Sequence, residues 1–247
     1  MKQMVIILIV ALIGIVCVFN GSMVQAASQK EEIALKLAIL LRSARQVISD
    51  HQDLINEAGK TLTTKQVIEE AKANYAKSIG HPFPTLDKTT LEGKLLQSEL
   101  EAIQEVMDQT QALINEPKTR FKGFIPAVFA YRVADSFDQK VGNLAYLKLT
   151  APVELIRHQG NLPDAWEEQM IKNKFQSAGW QKGKSEAEVV ELNGKKAYRL
   201  LIPEYYQASC LPCHGEPKGA TDITGGKKEG GKLGDIGGAI SAAIYLK

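Results

Sequence analysis

The chain has 247 residues, 45% of them hydrophobic and 23% charged, with 30 Lys and Arg against 28 Asp and Glu for a formal charge of +2. So even a balance offers no broad basic face, which argues against nucleic acid as a partner, and this much apolar content excludes a disordered chain. The length suits a sizeable domain with a helical extension, and the three cysteines are too few for a disulfide-stapled scaffold.

Met1-Lys2-Gln3 gives a short positive start, followed by sixteen uncharged residues from Met4 to Phe19. Val24-Gln25-Ala26 then has the small-x-small pattern of a signal-peptidase site. Residues 1–26 therefore read as a signal peptide. The alternative is a retained anchor over residues 4–19, although a span needs about 20 apolar residues. Cys17 follows Val16 where a lipoprotein signal requires a small residue, so lipidation is set aside. Either reading places the rest of the chain in a periplasmic or extracytoplasmic compartment.

Ser28-Gln29-Lys30-Glu31 has the form of a capping box. Apolar residues then recur at Ile33, Leu37, Leu40, Ala44 and Val47 and resume at Leu54, one helical stripe that also takes in His51 and ends near Gly59. A second helix is expected from Thr63 or Thr64 to Gly80, where Pro82 and Pro84 bar continuation. A third is expected from Leu91 to Ile114, with Leu96, Leu100, Ile103 and Met107 on one face. Residues 27–118 thus read as a helical region.

Beyond Phe121 the period changes. Phe124–Tyr131 and Leu144–Ala151 read as strands. Asn161-Leu162-Pro163-Asp164 opens a helix carrying Trp166, Met170 and Phe175 and closed by Gly179. Glu186–Leu192 and Lys196–Ile202 flank Asn193-Gly194, a tight-turn pair that signals a hairpin. Ala239–Leu246 supplies a last strand. Residues 119–247 therefore read as a five-stranded antiparallel sheet domain behind helices, an α+β fold. The segment from Gly215 to Gly238 contains nine glycines.

The chemistry lies in Cys210-Leu211-Pro212-Cys213-His214. Cys-x-x-Cys-His is the attachment pattern of c-type haem. Two thiols three residues apart can each add to one vinyl group on a single turn of chain, and the next imidazole is then held beneath the iron. Other readings stand beside it. A thiol–disulfide redox pair is one, though only 34 residues follow Cys213, too few for the usual redox domain. Structural zinc would want about four ligands. A disulfide between the two would be strained. The glycines downstream fit backbone passing close to a flat macrocycle, or a mobile surface loop.

Four segments carry a resemblance: Gly123-Phe124-Ile125-Pro126-Ala127; Arg157 through Asn161-Leu162-Pro163-Asp164-Ala165-Trp166-Glu167; Cys210-Leu211-Pro212-Cys213-His214-Gly215; and Gly234-Asp235-Ile236-Gly237-Gly238-Ala239-Ile240-Ser241. Together with the helix Leu37–Asn56 they resemble exported bacterial monohaem c-type proteins with a PAS-like fold, a module also used as the extracytoplasmic sensor of some histidine kinases and chemoreceptors. The resemblance implies one haem c on Cys210 and Cys213, His214 on the iron, and a PAS-like sheet behind long N-terminal helices. It leaves Arg157 and Trp166 without an assigned role; a cation near the haem propionates is one expectation for Arg157. His158 departs from the family pattern, where a residue such as Asn is expected.

Function then turns on the position opposite His214. His51 leads as sixth ligand because an imidazole is unusual in an apolar stripe; Met107, Met170, His158 and His81 follow, and an open site is the remaining case. A filled site favours electron transfer, and an open one favours binding a diatomic gas. The expected role is a haem-based electron carrier or redox or gas sensor, working with a redox partner protein or membrane transducer. The end of the chain one residue after Leu246 tilts the expectation toward a carrier. The N-terminal helices have heptad-like stripes suited to a homodimer. Enzymatic alternatives are thiol–disulfide exchange by Cys210 and Cys213 and a small haem peroxidase or reductase; the latter would need a distal His/Arg pair that the spacing does not offer. A four-helix class II cytochrome is excluded, because Gly215–Gly238 cannot be the rest of a final helix.

Overall fold

A computed structural model describes residues 28–246. The expected signal peptide 1–26, with the apolar run 4–19 and Cys17, lies outside the described residues. Among the described residues no helix is long and apolar enough to cross a membrane.

Helix α1 (28–50) buries Ile33, Leu37, Leu40, Ala44 and Val47, the stripe expected from their spacing. It breaks at His51, and α2 (Gln52–Asn56) adds a short continuation before Glu57 turns extended. The helical stretch therefore stops short of Gly59. Helix α3 (Thr64–Ile79) starts where the Thr63 hydroxyl accepts from the Gln66 N–H and stops where Gly80 turns left-handed, at φ 86°. These are the cap chemistries that end helices cleanly. Helix α4 (Leu91–Ile114) is capped likewise by Thr90 and buries Leu96, Leu100, Ile103 and Met107.

The segment expected as a first strand, Phe124–Tyr131, is instead the entry to helix α5 (Pro126–Val141). Pro126 sits in its first turn, where the missing N–H costs nothing. Phe129, Val133, Phe137 and Val141 then recur every four residues and are all buried. A period of four over sixteen residues outweighs a run of apolar residues that is too short to show its own period. The sheet accordingly has four strands and not five.

Those strands are β1 (Ala145–Thr150), β2 (Glu186–Leu192), β3 (Lys195–Tyr205) and β4 (Ile236–Tyr245). They are ordered β1-β4-β3-β2 and every pairing is antiparallel. The β2–β3 hairpin turns through Asn193 and Gly194 at φ 52° and 73°, as their pairing predicted.

Both faces of the sheet are covered over β1, β4 and β3, while β2 is largely exposed. Leu147, Leu149, Leu200, Ile202, Ile240, Ala242 and Ile244 face the helices, in one apolar cluster that reaches back to Ile33 in α1. The residues between them point the other way. There Leu201 and Ala239 pack on Ile171 and Phe175, which lie in a π-helical turn after helix α6 (Ala165–Met170). A buried polar knot holds α6 to the sheet. Arg199, 1% exposed, pairs with Glu167 at 2.6 Å and Asp164 at 2.7 Å. Its guanidinium also lies 4.7 Å from the centre of the Trp166 ring. Trp166 is thus occupied with α6 packing.

Candidate functional site

The segment joining the two central strands, β3 and β4, holds the Cys-x-x-Cys-His motif. After β3 the chain makes a 3-10 turn at Ala208–Cys210 and a single helical turn, α7 (Leu211–His214). Pro212 falls where a helix needs no donor. This compact turn brings both thiols and the imidazole together, and both cysteines are free and half-buried. Burial pushes the Cys213 thiol up, and the nearby Asp222 charge adds to the rise.

His214 is held from two sides. Its ring stacks on Tyr206, with centroids 5.1 Å apart and planes 20° from parallel. Its Nδ1 meets Oε2 of Glu229 at 2.9 Å. Since an ionised carboxylate only accepts, Nδ1 is the donor in this contact, and Nε2 is the ring nitrogen that Glu229 does not engage.

Tyr206 is in turn enclosed by the glycine loop. A Cβ on Gly237 would stand 2.3 Å from a Tyr206 ring carbon, and one on Gly231 would stand 2.4 Å away. These two glycines admit the tyrosine ring. The loop is ordered by main-chain bonds: Gly231 N–H donates to the His214 carbonyl, and Gly234 N–H to that of Tyr206, each at 2.8 Å. Burial, helped by the charge of Glu229, pushes the Tyr206 hydroxyl up to about 12.

Arg157 joins the pieces. It pairs with Asp222 and with Glu229 at 2.8 Å, and donates to the carbonyl oxygens of Cys213 and Lys227, each at 3.0 Å. Burial works against its charge, but the two carboxylates overcome that and raise its pKa. An open cavity of about 490 Å³ includes Arg157, Glu229, Gly225 and Gly226 in its walls. It adjoins the motif through Arg157 and Glu229; the cysteines and His214 are not among its lining residues.

Helix α1 lies against the same site. Arg42 Nε donates to Glu204 at 2.6 Å, and Arg45 pairs with the other oxygen of that carboxylate. Farther along α1, the hydroxyls of Ser49 and Ser209 are 2.9 Å apart, and Ser209 directly precedes Cys210.

The remaining residues singled out in the sequence have other neighbours. His51 Nε2 is 2.7 Å from Oε2 of Glu70 on α3. Met107 is fully buried in the main cluster, and Met170 packs beside Ile171 and Phe175. The His158 ring lies 4.6 Å from that of Tyr131, and His81 Nδ1 is 3.2 Å from the Pro82 carbonyl. Among the described residues no group of three or more His, Cys, Asp and Glu side chains is placed to hold a metal ion. Sequence reasoning missed Tyr206 and Glu229. Tyr206 is one more aromatic at a strand end, and Glu229 is one acid within a lysine- and glycine-rich loop, so neither carries a local signal.

These features define an α+β protein in which N-terminal helices back a four-stranded antiparallel sheet and a Cys-x-x-Cys-His turn links the sheet's central strands. Residues 24–244 match the model of the Tll0287-like family, described as Tll0287, and the chain belongs to that family. No curated protein and no solved structure matches it.

Proposed function

We propose that the chain is an exported monohaem c-type protein with a PAS-like domain, in which a change at the haem is sensed and passed to the N-terminal helices. Each thiol, Cys210 and Cys213, would add across one vinyl group: sulfur bonds to one carbon, the thiol hydrogen goes to the other, and no external oxidant is needed. His214 would bind the iron through Nε2.

The observation that carries this reading is the state of His214. Its Nδ1 is committed to Glu229, which leaves Nε2 as the nitrogen for a metal, the arrangement common to metal-binding imidazoles. Two free thiols stand on the same turn. The donor set therefore fits haem c. The dithiol alternative is supported less well, because it leaves the imidazole held by Glu229 and Tyr206 without a role.

Sensing is favoured over simple electron carriage by the contacts of α1. Through Arg42, Arg45 and Ser49 this helix touches both the end of β3 and the residue preceding Cys210. A shift of the motif would be felt along α1. Haem supplies a reducible iron able to bind a diatomic gas; the chain holds the imidazole, orients it and presents the helix that responds. Membership of the Tll0287-like family, which suggests a cytochrome-like sensor domain, agrees.

The test is an absorption spectrum of the full chain made alongside haem-attachment machinery, oxidised and reduced, with and without CO. One covalent haem per chain, lost in Cys210→Ser/Cys213→Ser, is expected, with a reduced spectrum that shifts under CO. No covalent haem would return the dithiol reading. A reduced spectrum indifferent to CO would mean a filled sixth position and would favour an electron carrier.

A further inference from the structure

Glu229 sits fifteen residues after His214, on the far side of a glycine-rich loop, yet its carboxylate is shared between two groups of the site. One oxygen meets His214 Nδ1 at 2.9 Å. The other accepts from Arg157 Nε at 2.9 Å. The Glu229 side chain is only 18% exposed, so water competes weakly for it. Arg157 is itself pinned by Asp222 and by the Cys213 and Lys227 carbonyls, which fixes the carboxylate in place. The ring of Tyr206 stacked on His214 removes the remaining freedom of the imidazole plane.

An imidazole that donates its second N–H to a carboxylate is a more basic ligand than one that donates to a neutral carbonyl. A stronger donor places more electron density on the iron and stabilises the oxidised metal. We infer that Glu229 is a positioning residue for His214 that also holds the potential of the bound haem low. Arg157, held by Asp222, keeps Glu229 in register. The inference rests on the haem reading above and adds to it the group that sets the redox poise.

The experiment compares the haem-loaded full chain with Glu229→Gln and Glu229→Ala, using spectroelectrochemical titration, with covalent haem counted in each sample. Gln keeps a neutral acceptor near Nδ1; Ala removes it. Both variants are expected to take up reducing equivalents at higher potential, with the reduction equilibrium moved about tenfold for Ala, about 59 mV for a one-electron couple, and less for Gln. A purely structural role for Glu229 would lower haem yield while leaving the potential of the loaded fraction unmoved, and that result overturns the inference alone. A wild-type chain without covalent haem overturns the proposed function and the inference with it. Should the variants fail to load, ¹⁵N spectra of His214 in the wild-type chain decide the matter. A neutral ring protonated on Nδ1 supports the inference; a neutral ring protonated on Nε2 in the haem-free chain overturns it.

Discussion

The Arg157 guanidinium donates to the Cys213 carbonyl oxygen at 3.0 Å, tying the segment after β1 to the motif some fifty residues later. The same side chain grips Asp222, whose side chain is fully buried. Burial would raise the Asp222 carboxyl, but hydrogen bonds from Thr224 and Arg157 outweigh it and hold the pKa at about 2. A carboxylate so held adds stability that is present above its unfolded pKa and is lost as pH falls through the folded one. Replacing Arg157 by Gln removes the cation from that carboxylate and leaves it the bonds from Thr224 and Gly226; losing a hydrogen bond to a charged group costs about 1.5–3 kcal/mol. Urea unfolding at neutral pH should show a loss of this size in Arg157→Gln, and a smaller loss when Asp222→Asn is added. Equal losses in the single and double variants would mean that the pair is not coupled.

Gly237 is required by the ring beside it. A methyl group there would stand 2.3 Å from Tyr206, and overpacking of this kind costs about 1–3 kcal/mol. Gly237→Ala is expected to lower the unfolding midpoint by that amount. Adding Tyr206→Leu should recover part of the loss, since the collision is with the ring and not with the backbone. A double-mutant cycle with no interaction energy would show that Gly237 serves something else.

Asp138 on α5 accepts from the Leu147 N–H of β1 at 3.0 Å. Burial is the main influence on its pKa and that single bond only partly offsets it. With the charge of Asp135 nearby, the pKa rises from 3.8 to about 7. A raised carboxyl binds its proton more tightly in the folded chain. Stability from this group is therefore greatest below the unfolded pKa and declines as pH rises from about 4 toward 7. At about 1.4 kcal/mol per unit, the decline amounts to a few kcal/mol at most. Asp138→Asn keeps an acceptor for Leu147 without the charge. Its gain in melting temperature over the parent should be larger at pH 8 than at pH 4; parallel pH profiles would contradict the burial argument.

His51 has its Nε2 turned to Glu70, with the two side chains 26% and 40% exposed. An exposed pair of this kind is worth about 0–1 kcal/mol. His51→Ala is expected to cost no more than that and to leave the spectrum of the haem-loaded protein unchanged. A change in the ligand-sensitive bands would instead assign His51 to the iron.

The helices were legible where the ends carry their own chemistry. Thr63 and Gly80 bracket α3, Thr90 opens α4, and Asn193-Gly194 turns the hairpin, each through a neighbour only a few residues away. Phe124–Tyr131 taken alone reads as a strand because eight residues are too few to separate a period of two from a period near four. The decisive residues, Phe137 and Val141, lie beyond that stretch. His51 has a neighbour that spacing does not reveal. Its spacing places it in the apolar stripe, but the helix breaks at this residue, and a stripe says nothing of the acid on α3 that meets it.

The sequence by itself determined that two thiols and an imidazole meet in the Cys210–His214 turn, because residues within five positions are brought together by any compact backbone. It determined most helix and strand positions for the same reason: caps and turns act over a few residues. The tertiary structure alone decided that four strands form the sheet, that Glu229 meets His214, that Tyr206 lies between two glycines, and that α1 reaches the motif. Each of these depends on distances between residues far apart in the chain, where the outcome is set by which surfaces bury together and not by any local preference.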